Sequence, residues 1–450
     1  MSANYDQLLP ALKRRLPAAM LEAHGRVTDF IRRLRTVGAA DFVWSVVLSR
    51  FAGGLPAFDQ ARRIFQQISG EHIWPRPFQM RFKSAAAVQL MSAAFETAVA
   101  PWRHSRRVAH RLARHFPDIV TIDSTIIRLH DRLRRVFPGQ MGTPAELKVT
   151  LALSVFGLVP LAARLTSRKI HDSRLLPDQS SFRPGSLLLF DNAYAAAAEL
   201  EKLIQGKLKF IAPMRLNGNP IVDEVRRGPK RIRKLVAQAP DGLRLAQLLR
   251  RGANVKGTWD LNVRVRIAGG EEHGSLVPMR LVIRPGRKRI RIDTRARPRR
   301  RTIIGAFYYL TNVDHVWSGE AIAELYRLRW QVELAFKELK QHLSLESVPT
   351  RDQHAAQVLV WASLLALVVS RTIAAVLAPL RQLNGLAARL AVAVTSRALR
   401  GAIDLLILLF SRSVPRRFAR EIAHLIASKA ARQNSSRADS FLRLLSLAPA

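Results

Sequence analysis

The sequence predicts an α/β protein, with a mixed sheet core interrupted by a β-rich insertion and helical regions at both ends of the chain. Three changes of pattern indicate this fold class. Residues 1–115 alternate apolar and basic side chains at helical spacing, β-rich stretches begin near residue 117, and Ala/Leu/Arg-rich sequence fills residues 351–450. At 450 residues the chain is also too long for one compact core.

The N-terminal region, residues 1–116, is predicted to be helical and to bind DNA. Its last stretch, "WRHSRRVAHRLARHF", predicts one helix with Arg or His on most of its exposed faces. Such a surface suits a polyanion.

The first part of the core is predicted over residues 117–212. "IVTIDSTIIRL" indicates a strand, and "LKVTLALSVFGLVPLAARLT" indicates two strands around Gly157. "SLLLFDNAY" predicts a buried strand that leads into the helix "AAAAELEKLIQ", and "LKFIAPMR" predicts a further strand. Strands and a helix in this order favour an α/β core.

Residues 213–302 are predicted to form the β-rich insertion, and residues 303–350 the second part of the core. The insertion contains the basic run "RPGRKRIRIDTRARPRRR", which is either a solvated, mobile loop or a nucleic-acid-binding element. Strand character resumes in "IIGAFYYLTNV", whose aromatic residues we interpret as core. Residues 351–450 are predicted to be helical, with turns near Pro379 and Pro415.

The composition indicates a polyanionic partner. There are 73 Lys and Arg against 33 Asp and Glu, a formal net charge of +40, and DNA, RNA and an anionic membrane are the candidates. The membrane is disfavoured because the best apolar run, residues 355–370, is shorter than a span and ends at Arg371. We interpret it as a buried helix.

Several classes of chemistry have no support in the sequence. The chain has no cysteine, so disulfides and Cys-containing zinc sites are excluded. No P-loop, dinucleotide loop or HExxH motif is present, so we expect no nucleotide cofactor. The N-terminus lacks an apolar signal-peptide segment, and we expect a cytoplasmic protein.

The stretch "YRLRWQVELAFKELK" is predicted to be one helix with an ordered polar face. Tyr326, Arg329, Glu333 and Lys340 fall within an arc of roughly 60° at about 100° per residue. A neighbouring sector is predicted to be core, and it holds Leu328, Val332, Ala335 and Leu339. A plain surface helix with solvated charges is the alternative.

Two aspartates stand out in a chain so poor in acid. Asp123 and Asp191 are each predicted to lie at the polar end of a strongly apolar strand, in "VTID" and "LLLFD", where a cap or turn residue is the ordinary explanation. If they converge with Glu333, the three carboxylates can hold two Mg²⁺ ions, with Mn²⁺ as a substitute. Tyr326, Arg329 and Lys340 would then bind the DNA backbone. His171 and Asp172 are interpreted as a cap rather than a catalytic pair.

These residues resemble the DDE transposases of bacterial insertion sequences, in particular the insertion-sequence-four group. The group's Tyr-x2-Arg-x3-Glu-x6-Lys pattern matches Tyr326, Arg329, Glu333 and Lys340, while "DST" at Asp123 and "DNAY" at Asp191 are similar to its first two motifs. The resemblance covers roughly residues 117–350. Ala193 stands where the family usually carries glycine.

The resemblance implies a ribonuclease-H-like core and a DNA transposase. Such an enzyme binds the terminal inverted repeats of its element, cleaves DNA with Mg²⁺, and joins the freed end to target DNA. Joining two ends implies at least a homodimer, with the C-terminal helices as its contact. Two alternatives stay open: an inactive or repurposed DNA-binding protein on the same fold, and a metal nuclease that does not transpose.

Overall fold

The structure is a computed structural model. It describes residues 7–33, 36–52, 57–104, 111–140, 142–214, 219–251, 257–266, 276–294, 297–377, 396–397, 399–400 and 403–410.

The N-terminal region is helical, as predicted. In the fourth helix Ala61, Ile64, Phe65 and Ile68 recur at the spacing of one helical face, and all four are buried. The helices are α1 (Leu8–Arg15), α2 (Ala18–Val27), α3 (Ala39–Ser49), α4 (Ala57–Ser69), α5 (Pro75–Phe82) and α6 (Ala85–Arg103).

The single helix predicted for "WRHSRRVAHRLARHF" is wrong in its described part. Helix α6 begins where Ser84 accepts a hydrogen bond from the amide of Ala87, and it ends at Arg103. A short 3₁₀ helix follows at Arg111–Arg114, and residues 105–110 lie outside the described residues. Pro101 lies in the last turn of α6, where a missing amide donor weakens the helix.

The centre of the fold is a mixed ten-stranded sheet, and the strands predicted between residues 117 and 212 are all present. Its strand order is β3-β2-β1-β4-β5-β10-β9-β8-β6-β7. The strands are β1 (Ile119–Arg128), β2 (Glu146–Ser154), β3 (Val159–Ser167), β4 (Leu187–Phe190), β5 (Lys209–Pro213), β6 (Ile221–Arg227), β7 (Leu243–Arg244), β8 (Trp259–Arg266), β9 (Leu276–Thr294) and β10 (Arg297–Thr311).

Strands β1, β4 and β5 are parallel neighbours. Strand β4 pairs with β1 on one side and with β5 on the other. Helix α7 (Ala197–Gln205) connects β4 to β5, as a parallel pair requires. Strand β4 is buried along its length, which explains its continuous apolar sequence.

The insertion is β-rich, with two short helices that the sequence reasoning missed. Helix α8 (Lys230–Ala237) buries only Ile232 and Val236, too little for a clear periodic signal. Helix α9 spans Leu245–Arg251. Strand β10 runs unbroken past the predicted boundary at residue 302, because it pairs with β9 throughout its length and with β5 at Tyr309–Thr311.

The stretch "YRLRWQVELAFKELK" is not one continuous α-helix, so that prediction was wrong. Helix α10 (Gly319–Tyr326) passes into a 3₁₀ turn at Arg327–Arg329, and α11 (Trp330–His342) follows. The tighter turn suits the buried side chains of Leu325 and Leu328, three residues apart. The predicted core is confirmed, and it comprises Leu328, Val332, Ala335 and Leu339.

The C-terminal region begins with the long helix α12 (Gln353–Leu377), and α13 (Ile403–Phe410) follows. Residues 353–376 are long and apolar enough to cross a membrane, with a mean hydropathy of 2.0, so the helix is longer than predicted. However, 89% of its most apolar window is buried inside the protein, and the prediction of a buried helix is confirmed. Pro379 and Pro415 lie outside the described residues.

The chain divides into two compact units. The first comprises described residues of 1–108, 124–170 and 331–439, where α12 contacts α1, α3 and α6 around one apolar core. Glu338 and Arg371 form a buried ion pair in this core, with an Oε2–Nη2 distance of 2.6 Å. The second unit comprises described residues of 109–123 and 171–330, including β4–β10 and α7–α10.

Candidate active site

Asp123 and Asp191 follow matched positions of neighbouring parallel strands. Ile122 of β1 and Phe190 of β4 are register partners, and each aspartate is the next residue. Adjacent strands lie about 4.8 Å apart, so the register alone sets the two aspartates side by side. The sequence suggested that Asp123 ends its strand. That prediction was wrong, because β1 continues to Arg128. Its burial pattern nevertheless changes there, from buried to half-buried residues.

Asp191 precedes a short 3₁₀ helix, Asn192–Tyr194. It occupies the N-cap position, yet its side chain makes no capping hydrogen bond. The residue is exposed. The ordinary explanation, a capping aspartate, is therefore not supported at this position. Ala193 is accommodated within the 3₁₀ turn without a positive φ.

Arg329 pairs with Asp123. Its Nη1 donates a hydrogen bond to Oδ2 of Asp123 at 3.0 Å. The two side chains are only 16% and 23% exposed, so solvent screens the pair less than it screens a surface pair. Within the second unit, Arg329 of the Tyr-Arg-Glu-Lys pattern therefore contacts Asp123, the first predicted catalytic acid.

Tyr326, at the end of α10, lies beside the second aspartate. Its hydroxyl donates to the carbonyl oxygen of Phe190 at 3.4 Å, and its ring is 5.2 Å from that of Tyr309. Burial raises the pKa of Tyr326 above its ordinary value of 10; the charge of Arg329 lowers this pKa and that of Asp191 raises it. Tyr326 therefore remains a hydrogen-bond donor at neutral pH.

Glu333 and Lys340 belong to the first unit. Both lie in α11 seven residues apart, so they share one face of that helix. Glu333 is half-buried. Lys340 pairs with Glu346 at 2.8 Å, and because these side chains are 30% and 58% exposed, the pair is weak and exchangeable.

The donor chemistry suits a hard cation, although a complete cluster is not assembled. Carboxylate oxygens are the ligands that Mg²⁺ prefers, and Asp123 and Asp191 supply two such groups on neighbouring strands. Within the described ranges, no three Asp, Glu or His side chains are grouped closely enough to hold an ion. The ion pair with Arg329 occupies one oxygen of Asp123.

His171 caps a short 3₁₀ helix, Asp172–Arg174. Its Nδ1 accepts a hydrogen bond from the amide of Ser173 and lies 2.8 Å from the hydroxyl of the same residue. The structure confirms the interpretation of His171 as a cap.

Arg280 is a residue that the sequence reasoning missed. Its guanidinium is buried and donates to the carboxylate of Asp260 at 2.6 and 2.9 Å. It also donates to three carbonyl oxygens, those of Val313, Asp314 and Trp317, at 2.7–3.2 Å. These lie just before α10, which ends at Tyr326. The sequence signal that could have indicated this pair was a base, Arg280, and an acid, Asp260, each inside an apolar strand.

The aromatic residues of β10 differ in exposure, which corrects the interpretation of all three as core. Tyr309 is buried and Tyr308 half-buried, whereas Phe307 is 45% exposed. Its ring covers Gly286 on the paired strand, where a Cβ atom would clash with it.

Comparison with known proteins decides the family. The family model described as "Transposase DDE domain" matches residues 114–369, more than half of the chain. This chain belongs to the transposase DDE domain family. As a DDE transposase it is of the insertion-sequence type, and its family acts on DNA.

Two transposases illustrate the similarity to individual relatives of this DDE transposase. It is 21% identical over 376 residues to a transposase for insertion sequence element IS231F of Bacillus thuringiensis subsp. israelensis, covering 79% of this chain and 77% of that protein. It is 46% identical over 50 residues to the transposase for insertion sequence element IS421 of Escherichia coli, which is 11% of this chain and 14% of that one.

Among solved structures, the chain is similar to a piggyBac transposase synaptic complex with hairpin DNA. The sequence identity is 11% and the TM-score 0.43, over 100% of this chain and 86% of that one.

Proposed function

We propose that this transposase binds the terminal inverted repeats of its own element, cleaves DNA there with Mg²⁺, and joins the freed 3′ end to target DNA. The observation that carries the proposal is the pair of aspartates at matched positions of β1 and β4, beside Arg329 and Tyr326. Two neighbouring carboxylates can help to hold a metal ion for phosphoryl transfer, and a cation and a phenol can contact DNA phosphates.

Asp123, Asp191 and Glu333 are the proposed metal ligands and catalytic acids. Mg²⁺, when bound, would activate the attacking water or hydroxyl and stabilise the departing oxygen. Glu333 is included as a metal ligand because it matches the glutamate of the family motif, four residues after Arg329. The carboxylates supply the hard oxygen donors that Mg²⁺ prefers.

Tyr326, Arg329 and Lys340 are the proposed DNA-binding residues. The Tyr326 hydroxyl keeps its proton and can donate to a phosphate oxygen. Arg329 can exchange Asp123 for a phosphate when that carboxylate binds an ion, and the weak pair with Glu346 lets Lys340 do the same. These bases would offset the repulsion between the acids and the DNA.

The finer fold assignment belongs to the same proposal. We assign the core to the ribonuclease-H-like class and the protein to the insertion-sequence-four group. The order β3-β2-β1-β4-β5, with β2 and β3 antiparallel and β1, β4 and β5 parallel, supports the class. The match of Tyr326, Arg329, Glu333 and Lys340 supports the group.

The proposal also divides the chain into five regions, with boundaries at residues 116, 212, 302 and 350. In it, residues 1–116 bind DNA and the protein acts as a homodimer during end joining. We place the action in the cytoplasm, where bacterial DNA lies.

The test uses the full-length protein with duplexes carrying the ends of its element, and Mg²⁺ or Mn²⁺. We expect end-specific nicks and a strand-joined product, and Glu333→Gln should lower the cleavage rate at least about a hundredfold, since metal-held charge is worth several kcal/mol. The exposed Glu224 offers the matched control Glu224→Gln, which should cleave normally.

Three outcomes would contradict the proposal. Wild-type cleavage by Glu333→Gln would remove the assigned acid. Tight DNA binding with no strand breakage in either metal would favour the inactive DNA-binding protein. Nicking without any joined product would favour a nuclease that does not transpose.

A further inference from the structure

The described part of the basic run, residues 284–294 and 297–301, forms a paired ribbon rather than a loop. Strands β9 and β10 are antiparallel register partners from Arg280↔Thr311 to Thr294↔Arg297. Strand β8 pairs with β9 only up to Ile283, and β5 pairs with β10 only from Tyr309 onward. Beyond those points, within the described residues, the two strands pair only with each other.

We define the ribbon as residues 285–294 paired with residues 297–306. Its register pairs run from Pro285↔Ala306 to Thr294↔Arg297. At about 3.3 Å per residue, a ladder of this length extends roughly 30 Å from the sheet. A two-stranded ribbon is marginally stable in water, so its length calls for a partner.

The sequence of the ribbon specifies the chemistry of that partner. Three consecutive basic residues stand at 287–289 and three more at 299–301, against the single acid Asp293. Successive strand residues alternate between faces, so such runs give both faces positive charge. Arg291 and Arg300 are direct register partners, and paired like charges are destabilising unless anions neutralise them.

An apolar partner fits the ribbon poorly. Its isoleucines are each placed directly opposite a basic residue, in the pairs Arg287↔Ile304, Lys288↔Ile303, Ile290↔Arg301 and Ile292↔Arg299. In no register pair of the ribbon are both residues large and apolar.

We infer that this ribbon is a DNA-binding arm that lies along duplex DNA and contacts its phosphates. The major groove of B-form DNA, about 12 Å wide, admits a two-stranded β-ribbon. The inference deepens the proposed function, since it names an element that holds the same substrate away from the acids. Duplex RNA fits less well, because its major groove is deep and narrow.

The first experiment measures binding to a duplex of arbitrary sequence in EDTA, by fluorescence anisotropy over a series of salt concentrations. The triple variant Arg289→Gln, Arg291→Gln, Arg300→Gln should reduce the slope of log affinity against log salt by about 2–3, since each phosphate contact contributes about 0.9. Binding without metal is measured separately from cleavage, so failure of this inference is distinguishable from failure of the proposed function.

The matched control removes the same charge from another element of the insertion. Helix α8 offers Arg231, Arg233 and Lys234, all exposed, and their replacement by Gln should change the slope by less than about 1. Equal losses in the two triple variants would attribute the effect to net charge alone and overturn the inference. A triple Arg→Lys ribbon variant should retain the wild-type slope.

A second measurement needs no variant. Hydrogen exchange of the amides at residues 287–294 should slow at least severalfold when the duplex is added to the wild-type protein. Unchanged exchange at these amides would overturn the inference. Duplex RNA that competes for the protein as well as duplex DNA of the same length would also overturn it.

Discussion

Arg329 donates a hydrogen bond to Asp123 at 3.0 Å across 206 residues of chain. The pair joins the first predicted metal ligand to the cation predicted to bind DNA. A carboxylate held by a guanidinium is less available to a metal ion, because both compete for the same oxygens. On the proposed function, an ion bound to Asp123 and a phosphate bound to Arg329 would each replace this contact.

The variant Arg329→Ala should bind Mn²⁺ more tightly than the wild type in the absence of DNA. A partly exposed ion pair is worth about 1 kcal/mol, which corresponds to about a fivefold gain in affinity once the pair is removed. Isothermal titration calorimetry measures this directly. Arg327→Ala is the matched control, because Arg327 is 65% exposed and pairs with Glu324 instead. Equal Mn²⁺ affinities for the wild type and Arg329→Ala would show that the Arg329–Asp123 pair does not weaken metal binding.

Tyr326 should not titrate within the working range of the enzyme. Burial raises its pKa above 10, so the cleavage rate of wild type relative to Tyr326→Phe should stay constant from about pH 7 to about pH 9. A raised pKa means that the unfolded chain loses this proton first. The stabilising contribution is therefore complete below about pH 10 and is lost as the pH rises further.

Urea unfolding at several pH values tests whether the free energy of unfolding falls as the pH rises. The free energy of unfolding of the wild type should fall more steeply above about pH 10 than that of Tyr326→Phe. Tyr308 and Tyr309, whose pKa values burial also raises, remain in both proteins. A ratio of cleavage rates that changes near neutral pH would mean that the phenol ionises there.

Arg280→Lys should slow cleavage about tenfold with little change in DNA affinity. Lysine keeps the charge beside Asp260 but cannot reproduce a planar donor that serves a carboxylate and three carbonyl oxygens together. Hydrogen exchange at residues 313–317 should accelerate. Arg264→Lys, which alters a partly exposed pair with Asp223, is the control. Loss of DNA affinity in proportion to rate would contradict a positioning role.

Replacement of one partner of the buried Glu338–Arg371 pair should destabilise the first unit by about 3–5 kcal/mol. Both side chains are 2% exposed, and Ser396 donates a further hydrogen bond to Glu338. Glu338→Gln should show the loss in denaturant unfolding, and Glu338→Leu with Arg371→Met should recover most of it. Glu199→Gln, in a more exposed pair with Lys202, should lose less than about 1 kcal/mol.

Local patterns predicted much of the fold. The strands around Asp123 and Asp191 were recognisable because their burial produces long apolar runs, and α12 was recognisable for the same reason. The break between α10 and α11 was not, because a 3₁₀ turn and an α-helix place apolar residues at similar spacings. Helix α8 escaped detection because it buries two side chains.

The candidate site divides in the same way. Asp123, Asp191, Tyr326 and Arg329 were proposed from residue type and spacing, and the structure adds register and contacts for them. Arg280 and Asp260 could not be found from spacing, since their pairing depends on how β8 and β9 align. Long-range register is a property of the folded sheet, which a single sequence does not encode in any local period.

Helix α12 has a consequence for how the protein can be handled. Its 24-residue apolar segment is concealed by α1, α3 and α6, which come from the opposite end of the chain. A fragment that lacks the first hundred residues should expose this segment, whose length and apolar composition are those of a membrane-spanning helix. Dissection of the protein into pieces should therefore keep α12 together with the N-terminal helices, by co-expression where the chain is cut.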